Sequence, residues 1–222
     1  AAWLARNRRE LIDAAFALNE GAGGNLDAAG KRITHTIQAG EKSSTSFRLE
    51  VTNPGGHSSR PVPDNAIYRL ARALDRVSAY EFPVRLNDAT RGYFTKMAGL
   101  TGGETGAAMT AIVANPQDKA AYAVLAKDSN LHAILGTTCI PTMLSAGHAQ
   151  NALPQRATAT VNCRIFPGES VEDVRQALVA TVADPQVNVI APPGNPARAN
   201  VGAPPLTPQI VGPIEKISEQ MW

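Results

Sequence analysis

Between residues 46 and 190 the apolar patterns run strand, helix, helical stretch, strand, strand, helix, strand. This order predicts an α+β fold, a ferredoxin-like four-stranded antiparallel sheet with helices on one face and a helical insert. Two observations carry the prediction. Residues 46–53 (SFRLEVTN) alternate, with Phe47, Leu49 and Val51 on one face and Arg48, Glu50 and Thr52 on the other. Residues 137–145 and 157–166 (ATATVNCRIF) are further strand candidates, joined by a loop over 147–154.

The remaining elements follow in chain order. Residues 1–15 (AAWLARNRRELIDAA) read as a helix already under way, without an initiator Met or a clear cap. Residues 16–18 form a short apolar, strand-like run ahead of Asn19, Glu20 and a Gly-rich stretch at 21–24. Residues 31–38 (KRITHTIQ) contain a β-branched, partly alternating strand. Pro54, Gly55 and Gly56 end the strand at 46–53. Asp64 can cap a helix running to about Ser78, because Ile67, Leu70, Ala71, Leu74 and Val77 fall on one stripe.

Residues 88–133 are rich in helix formers and read as several short helices, broken at Gly99, Gly102, Gly103 and Pro116. Ser170 and Asp173 form a capping-box pattern ahead of Val174, Leu178 and Val182. A last strand is expected at 187–190, then an extended Pro/Gly/Ala connection over 192–208. The chain stops inside another helical pattern (IEKISEQMW), so both ends read as cut. The first forty-odd residues and the last helix fall outside the sandwich, as parts of a second domain into which it is inserted.

Composition narrows the partners. The 222 residues are 44% hydrophobic and 18% charged, with a formal net charge of +2 and scattered Lys and Arg. A polyanion such as nucleic acid is therefore not the expected partner. No membrane partner is expected either, since no apolar run approaches the length that spans a bilayer. No secretory leader is visible, and with a true start missing the compartment is left open. Of the two cysteines, Cys139 and Cys163, the plainer reading is a pair of buried reduced thiols. If their strands pair about the loop near residues 149–151, a strained cross-strand disulfide becomes the alternative.

Four residues stand out for chemistry. Glu20, placed between a strand-like run and glycines, suits a metal ligand, the plainer reading being a solvated loop carboxylate. The Gly cluster is not a phosphate loop, because its Lys and Ser/Thr are missing. His57 follows two glycines beyond a strand end, where an imidazole can meet substrate and donate to a developing oxyanion; a turn histidine bonded to local backbone is the alternative. Asn151 in the loop and Arg164 in the following strand are expected to point toward one end of the sheet. There an amide and a guanidinium fork can hold a carbonyl and a carboxylate. Each also has a bland reading, a turn Asn and a surface strand Arg. Ser58 and Ser59 beside His57 are set aside as nucleophiles, because no orienting acid is evident.

Taken together, FALNEG, then VTNPGGHSSRP, then AGHAQNALPQRATATVNCRIFPGE resemble the aminoacylase/carboxypeptidase S/carboxypeptidase G group of dizinc hydrolases. The three motifs stand in family order over nearly the whole chain. The resemblance implies an α/β catalytic domain carrying two Zn ions, with a ferredoxin-like lid inserted into it that forms a homodimer. It implies that Glu20 is a zinc ligand and that His57 reaches the partner subunit's active site and polarises the scissile carbonyl. It also implies that Asn151 and Arg164 contact the substrate carbonyl and carboxylate.

On this reading residues 1–44 and 192–222 are remnants of the catalytic domain, and 45–191 are the lid, with its insert at about 88–133. The insert points to the carboxypeptidase S-like branch, whose substrates are N-acyl amino acids or small peptides. The family's other ligands would lie beyond both ends, and Asn19 stands where an Asp is often found. A single carboxylate cannot hold zinc. The 222 residues alone are therefore expected to bind no zinc and to be inactive.

Two other readings compete. One is a non-enzymatic ferredoxin-like dimerisation or regulatory module binding an amino acid through Arg164 and Asn151. The other is a purely structural assembly domain.

Overall fold

The computed structural model describes residues 2–17, 21, 23–193 and 202–221, which fall into two compact units. The larger spans residues 39–207 and holds the expected sandwich. Its main strands are β3 (Ser43–Thr52), β5 (Thr138–Ala146), β7 (Arg156–Ile165) and β8 (Val187–Ile190), in the order β5-β7-β3-β8 with every neighbour antiparallel. Helices α2 (Ala66–Ser78) and α7 (Val171–Val182) bury one stripe each in the same core as the sheet.

The alternation in β3 and β7 explains the layering. Phe47, Leu49 and Val51 meet Val161, Ala159 and Ala157 across the ladder, and all six are buried. The intervening residues, among them Arg156, Thr158, Thr160, Asn162 and Arg164, occupy the opposite face and are exposed or half-buried. Burying side chains such as Phe47 and Leu49 contributes roughly 1.5–3 kcal/mol each.

Helix α2 departs from expectation in two ways. Its cap is Asn65, whose side chain accepts from the Tyr68 amide at 3.0 Å. Asp64 is committed elsewhere, to Arg69, which also grips Asp184 at 2.7 Å beyond the end of α7. The buried stripe is Ala66, Leu70, Ala73 and Val77, while Ile67 and Ala71 are exposed. At α7 the capping box of Ser170 and Asp173 forms as expected.

The insert is α3 (Asp88–Thr101), α4 (Gly103–Ala114), α5 (Lys119–Leu125) and α6 (Ser129–Ile134). It has its own core of Phe94, Met109, Ile112, Leu125 and Leu135. Gly99 does not break α3, since a glycine costs a helix only about 1 kcal/mol. The break comes at Gly102, in the left-handed region at φ 62°.

Cys139 and Cys163 are directly opposed on β5 and β7, their Cα atoms 4.0 Å apart, and they form a disulfide. The reduced-thiol expectation is therefore corrected. Strand register decides the matter, because opposed residues are the cross-strand pairs whose Cα atoms come within bridging distance.

The smaller unit comprises residues 1–38 and 208–222. It contains α1 (Ala2–Asn7), the hairpin of β1 (Gly23–Leu26) and β2 (Arg32–Thr36), and α8 (Pro208–Met221). The expected first helix stops at Asn7, with a short 3-10 turn at Arg9–Leu11. Phe16 and Ala17 are not in a strand, and Leu18 lies outside the described residues. Part of the Gly-rich stretch instead becomes β1, which pairing with β2 imposes on a sequence of low strand propensity. None of this unit's described residues is buried, and Trp3, Phe16, Leu26 and Met221 are among its exposed apolar side chains.

Candidate functional site

His57 ends β4 (Gly56–His57), a two-residue strand paired with β6 (Ala152–Leu153). This ribbon continues the β3–β7 ladder past its end. Asn53 donates its amide to the Gln155 carbonyl at 2.9 Å, Gly56 faces Leu153 and His57 faces Ala152. The Ser58 amide then donates to the Asn151 carbonyl at 2.9 Å.

The two glycines make this approach possible. Gly55 and Gly56 have φ of 82° and 153°, and a Cβ on Gly55 would lie 2.8 Å from Gln155 Cγ and 3.3 Å from the Leu153 carbonyl oxygen. His57 and Asn151 are thereby brought together at one tip, both exposed.

Beyond His57 the chain turns back, the Arg60 amide donating to the His57 carbonyl at 3.0 Å. Within this turn the Ser59 amide donates to His57 Nδ1 at 3.2 Å, and Ser59 Oγ lies 2.8 Å from the same nitrogen. The backbone N–H can only donate, so it takes the Nδ1 lone pair. The neutral ring therefore carries its proton on Nε2. Ser58 and Ser59 had been set aside as nucleophiles; Ser59 does reach the ring, and its place there is to hold it.

Arg164 is elsewhere. It is the ninth residue of β7, opposite Ser44 of β3 and Thr138 of β5. At about 3.3 Å per residue it lies roughly 26 Å along the strand from Arg156, where the ribbon begins. The expected common rim for His57, Asn151 and Arg164 within one chain is thus overturned. A ten-residue strand with no reversal separates its two ends, whatever turn precedes it.

A second polar group surrounds Arg164. Lys42, just before β3, donates to Thr138 Oγ1 at 3.0 Å and to the Ala133 and Gly136 carbonyls at 2.8 and 2.7 Å, so it caps the end of α6. Burial, and then the neighbouring Arg164 charge, lower the Lys42 ammonium to about 8, against an opposing pull from Glu169. Glu169 itself pairs with Arg85 at 2.7 Å and accepts from the Thr137 hydroxyl. Arg164 stands beside this group, near the end of β7 opposite Ser44 and Thr138, where its fork suits an external carboxylate. Lys42 carried no distinct signal in the sequence, because its role depends on α6 ending beside it.

Glu20 lies outside the described residues. Among the described residues no three His, Cys, Asp or Glu side chains converge as metal ligands. Among them also, no helix is long and apolar enough to cross a membrane.

Known proteins resemble this arrangement. A family model described as Peptidase dimerisation domain (M20) matches residues 39–189. The chain is 29% identical over 181 residues to mouse N-fatty-acyl-amino acid synthase/hydrolase PM20D1, covering 81% of this chain and 35% of that protein. The human protein of the same name is 31% identical over 159 residues, 71% of this chain and 31% of its own length. Probable carboxypeptidase S-like 2 of Dictyostelium discoideum is 30% identical over 151 residues, 67% of this chain and 28% of its own.

The chain thus spans about a third of the length of these relatives. Among solved structures, the M20 family metallo-carboxypeptidase Sso-CP2 from Sulfolobus solfataricus aligns at TM-score 0.49 and 19% identity, covering 85% of this chain and 51% of that one. With the sandwich topology, the His57 ribbon and a family match over most of its length, the chain belongs to the M20 peptidase dimerisation-domain family.

Proposed function

We propose that the whole protein is a zinc-dependent hydrolase of an amide or peptide bond beside a free carboxylate, acting on N-acyl amino acids or small peptides as a homodimer. The observation that carries this reading is the pair of separated polar tips. One offers an Nε2–H on an exposed ring and an amide, suited to a carbonyl; the other offers a guanidinium, suited to a carboxylate.

Separated by more than 20 Å of strand, they cannot serve one small substrate within one chain. In a two-fold dimer they can. Arg164 grips the carboxylate in the site of its own subunit, while His57 and Asn151 reach across to the partner's site. The Nε2–H donates to the carbonyl oxygen as it gains negative charge, and the Asn151 amide adds a second donor.

The β5 edge suits the dimer contact. It runs nine residues at the sheet edge, with no outer strand among the described residues, and exposes Ile140, Met143 and Leu144.

The smaller unit, which buries none of its described residues, is read as part of the catalytic domain, with Glu20 contributing to a two-zinc centre whose other ligands come from elsewhere in the protein. The 222 residues alone are inactive on this reading. The test is hydrolysis of N-acyl amino acids by the full-length protein, with its zinc content measured. Zinc-dependent turnover that His57→Ala abolishes, with dimerisation intact, supports the proposal; unchanged turnover in that variant removes it.

A further inference from the structure

Ser59 makes both contacts to the inner nitrogen of His57, through its amide and its hydroxyl. We infer that Ser59 is a positioning residue, which fixes the His57 ring as the Nε2–H tautomer with that N–H directed outward toward a substrate carbonyl. This rests on the proposed role of His57.

The geometry is that of a tight turn closed by a side chain. The Arg60 amide reaches back to the His57 carbonyl at 3.0 Å, which sets Ser59 two residues beyond the ring. Its N–H then meets Nδ1 at 3.2 Å, much as an Asn or Asp side chain accepts from the amide two residues on. The hydroxyl at 2.8 Å is the second contact and holds the ring plane.

An imidazole on an exposed two-residue strand has little packing to orient it, so these two contacts replace the walls of a pocket. They matter for chemistry because a ring with its proton on Nδ1 would present a lone pair to the carbonyl oxygen, and two electron-rich atoms repel. The consequence is borne in the transition state, when the oxygen becomes more negative, more than in the bound substrate. The Ser59 amide still selects the tautomer when the hydroxyl is removed, so what the hydroxyl adds is a fixed ring orientation, and its loss lowers kcat and leaves KM nearly unchanged.

Two measurements test this. A long-range proton–nitrogen spectrum of the His57 imidazole, recorded on the neutral ring in the 222-residue chain, reads the tautomer directly. The inference expects protonation at Nε2 with Nδ1 as acceptor; protonation at Nδ1, or free averaging between the two, overturns it.

In the full-length protein, Ser59→Ala is expected to lower kcat about tenfold with KM within about twofold, and Ser59→Thr to restore it. Wild-type kcat in Ser59→Ala overturns the positioning role, as does an equal loss in Ser59→Thr with the fold intact. Should His57→Ala keep full activity while the spectrum shows the Nε2–H form, the role of His57 fails and Ser59 is reduced to a turn residue. That outcome is separable from failure of the clamp itself.

Discussion

His57 and Arg164 sit at opposite ends of the ladder formed by β3 and β7, the first on the ribbon beyond Thr52 and Arg156, the second opposite Ser44. The separation follows from strand length, and it forces any mechanism using both residues on one small molecule to use two subunits.

The disulfide closes a loop of 24 residues between β5 and β7. Constraining the unfolded chain by a loop of that size contributes about 3 kcal/mol. The double variant Cys139→Ser, Cys163→Ser is expected to lose roughly that much in urea unfolding, and thiol titration of the folded wild-type chain should find no free cysteine. Two titratable thiols would contradict the pairing.

Phe47 is fully buried between the sheet and its helices. Phe47→Ala removes its contacts and leaves a cavity, so a loss of about 3–5 kcal/mol is expected. Chemical denaturation checks it, and a loss under about 1 kcal/mol would place Phe47 outside the core.

Lys42 gives stability a pH dependence of predictable sign. Its ammonium is lowered from 10.5 to about 8 in the folded chain. Between those values the unfolded chain binds the proton that the folded chain has released, so this group makes stability rise with pH across the window. Below it both states are protonated and the contribution is constant. Lys42→Met should lack that rise, so the denaturation midpoint of wild type relative to Lys42→Met is expected to climb from about pH 8 to about pH 10.5. A fall would reverse the assigned burial effect.

What the sequence revealed, and what it hid, divides along physical lines. Strict alternation in β3 fixes which face of that strand is buried, and the Ser170–Asp173 spacing fixes the start of α7; both are local patterns and both were legible. The β4–β6 ribbon was not, because two-residue strands have no periodicity and exist only through their cross-strand partners. Register hid the disulfide in the same way, since opposition of Cys139 and Cys163 depends on how two distant segments align. The motif residues were picked out by type and setting, but Arg164 was given the wrong end of the sheet. Nearness in sequence to Asn151 was read as nearness in space, and an extended strand converts thirteen residues of separation into distance.

Subunit complementation tests the shared site most directly. Full-length His57→Ala and Arg164→Ala dimers are each expected to be nearly inactive. Mixed in equal amounts and allowed to exchange subunits, they form hybrid dimers in which one site has an intact Arg164 from its own subunit and an intact His57 from the other. With half the dimers hybrid and one of two sites restored in each, about a quarter of wild-type activity should return. Exchange confirmed by mass, with no activity regained, would contradict the account.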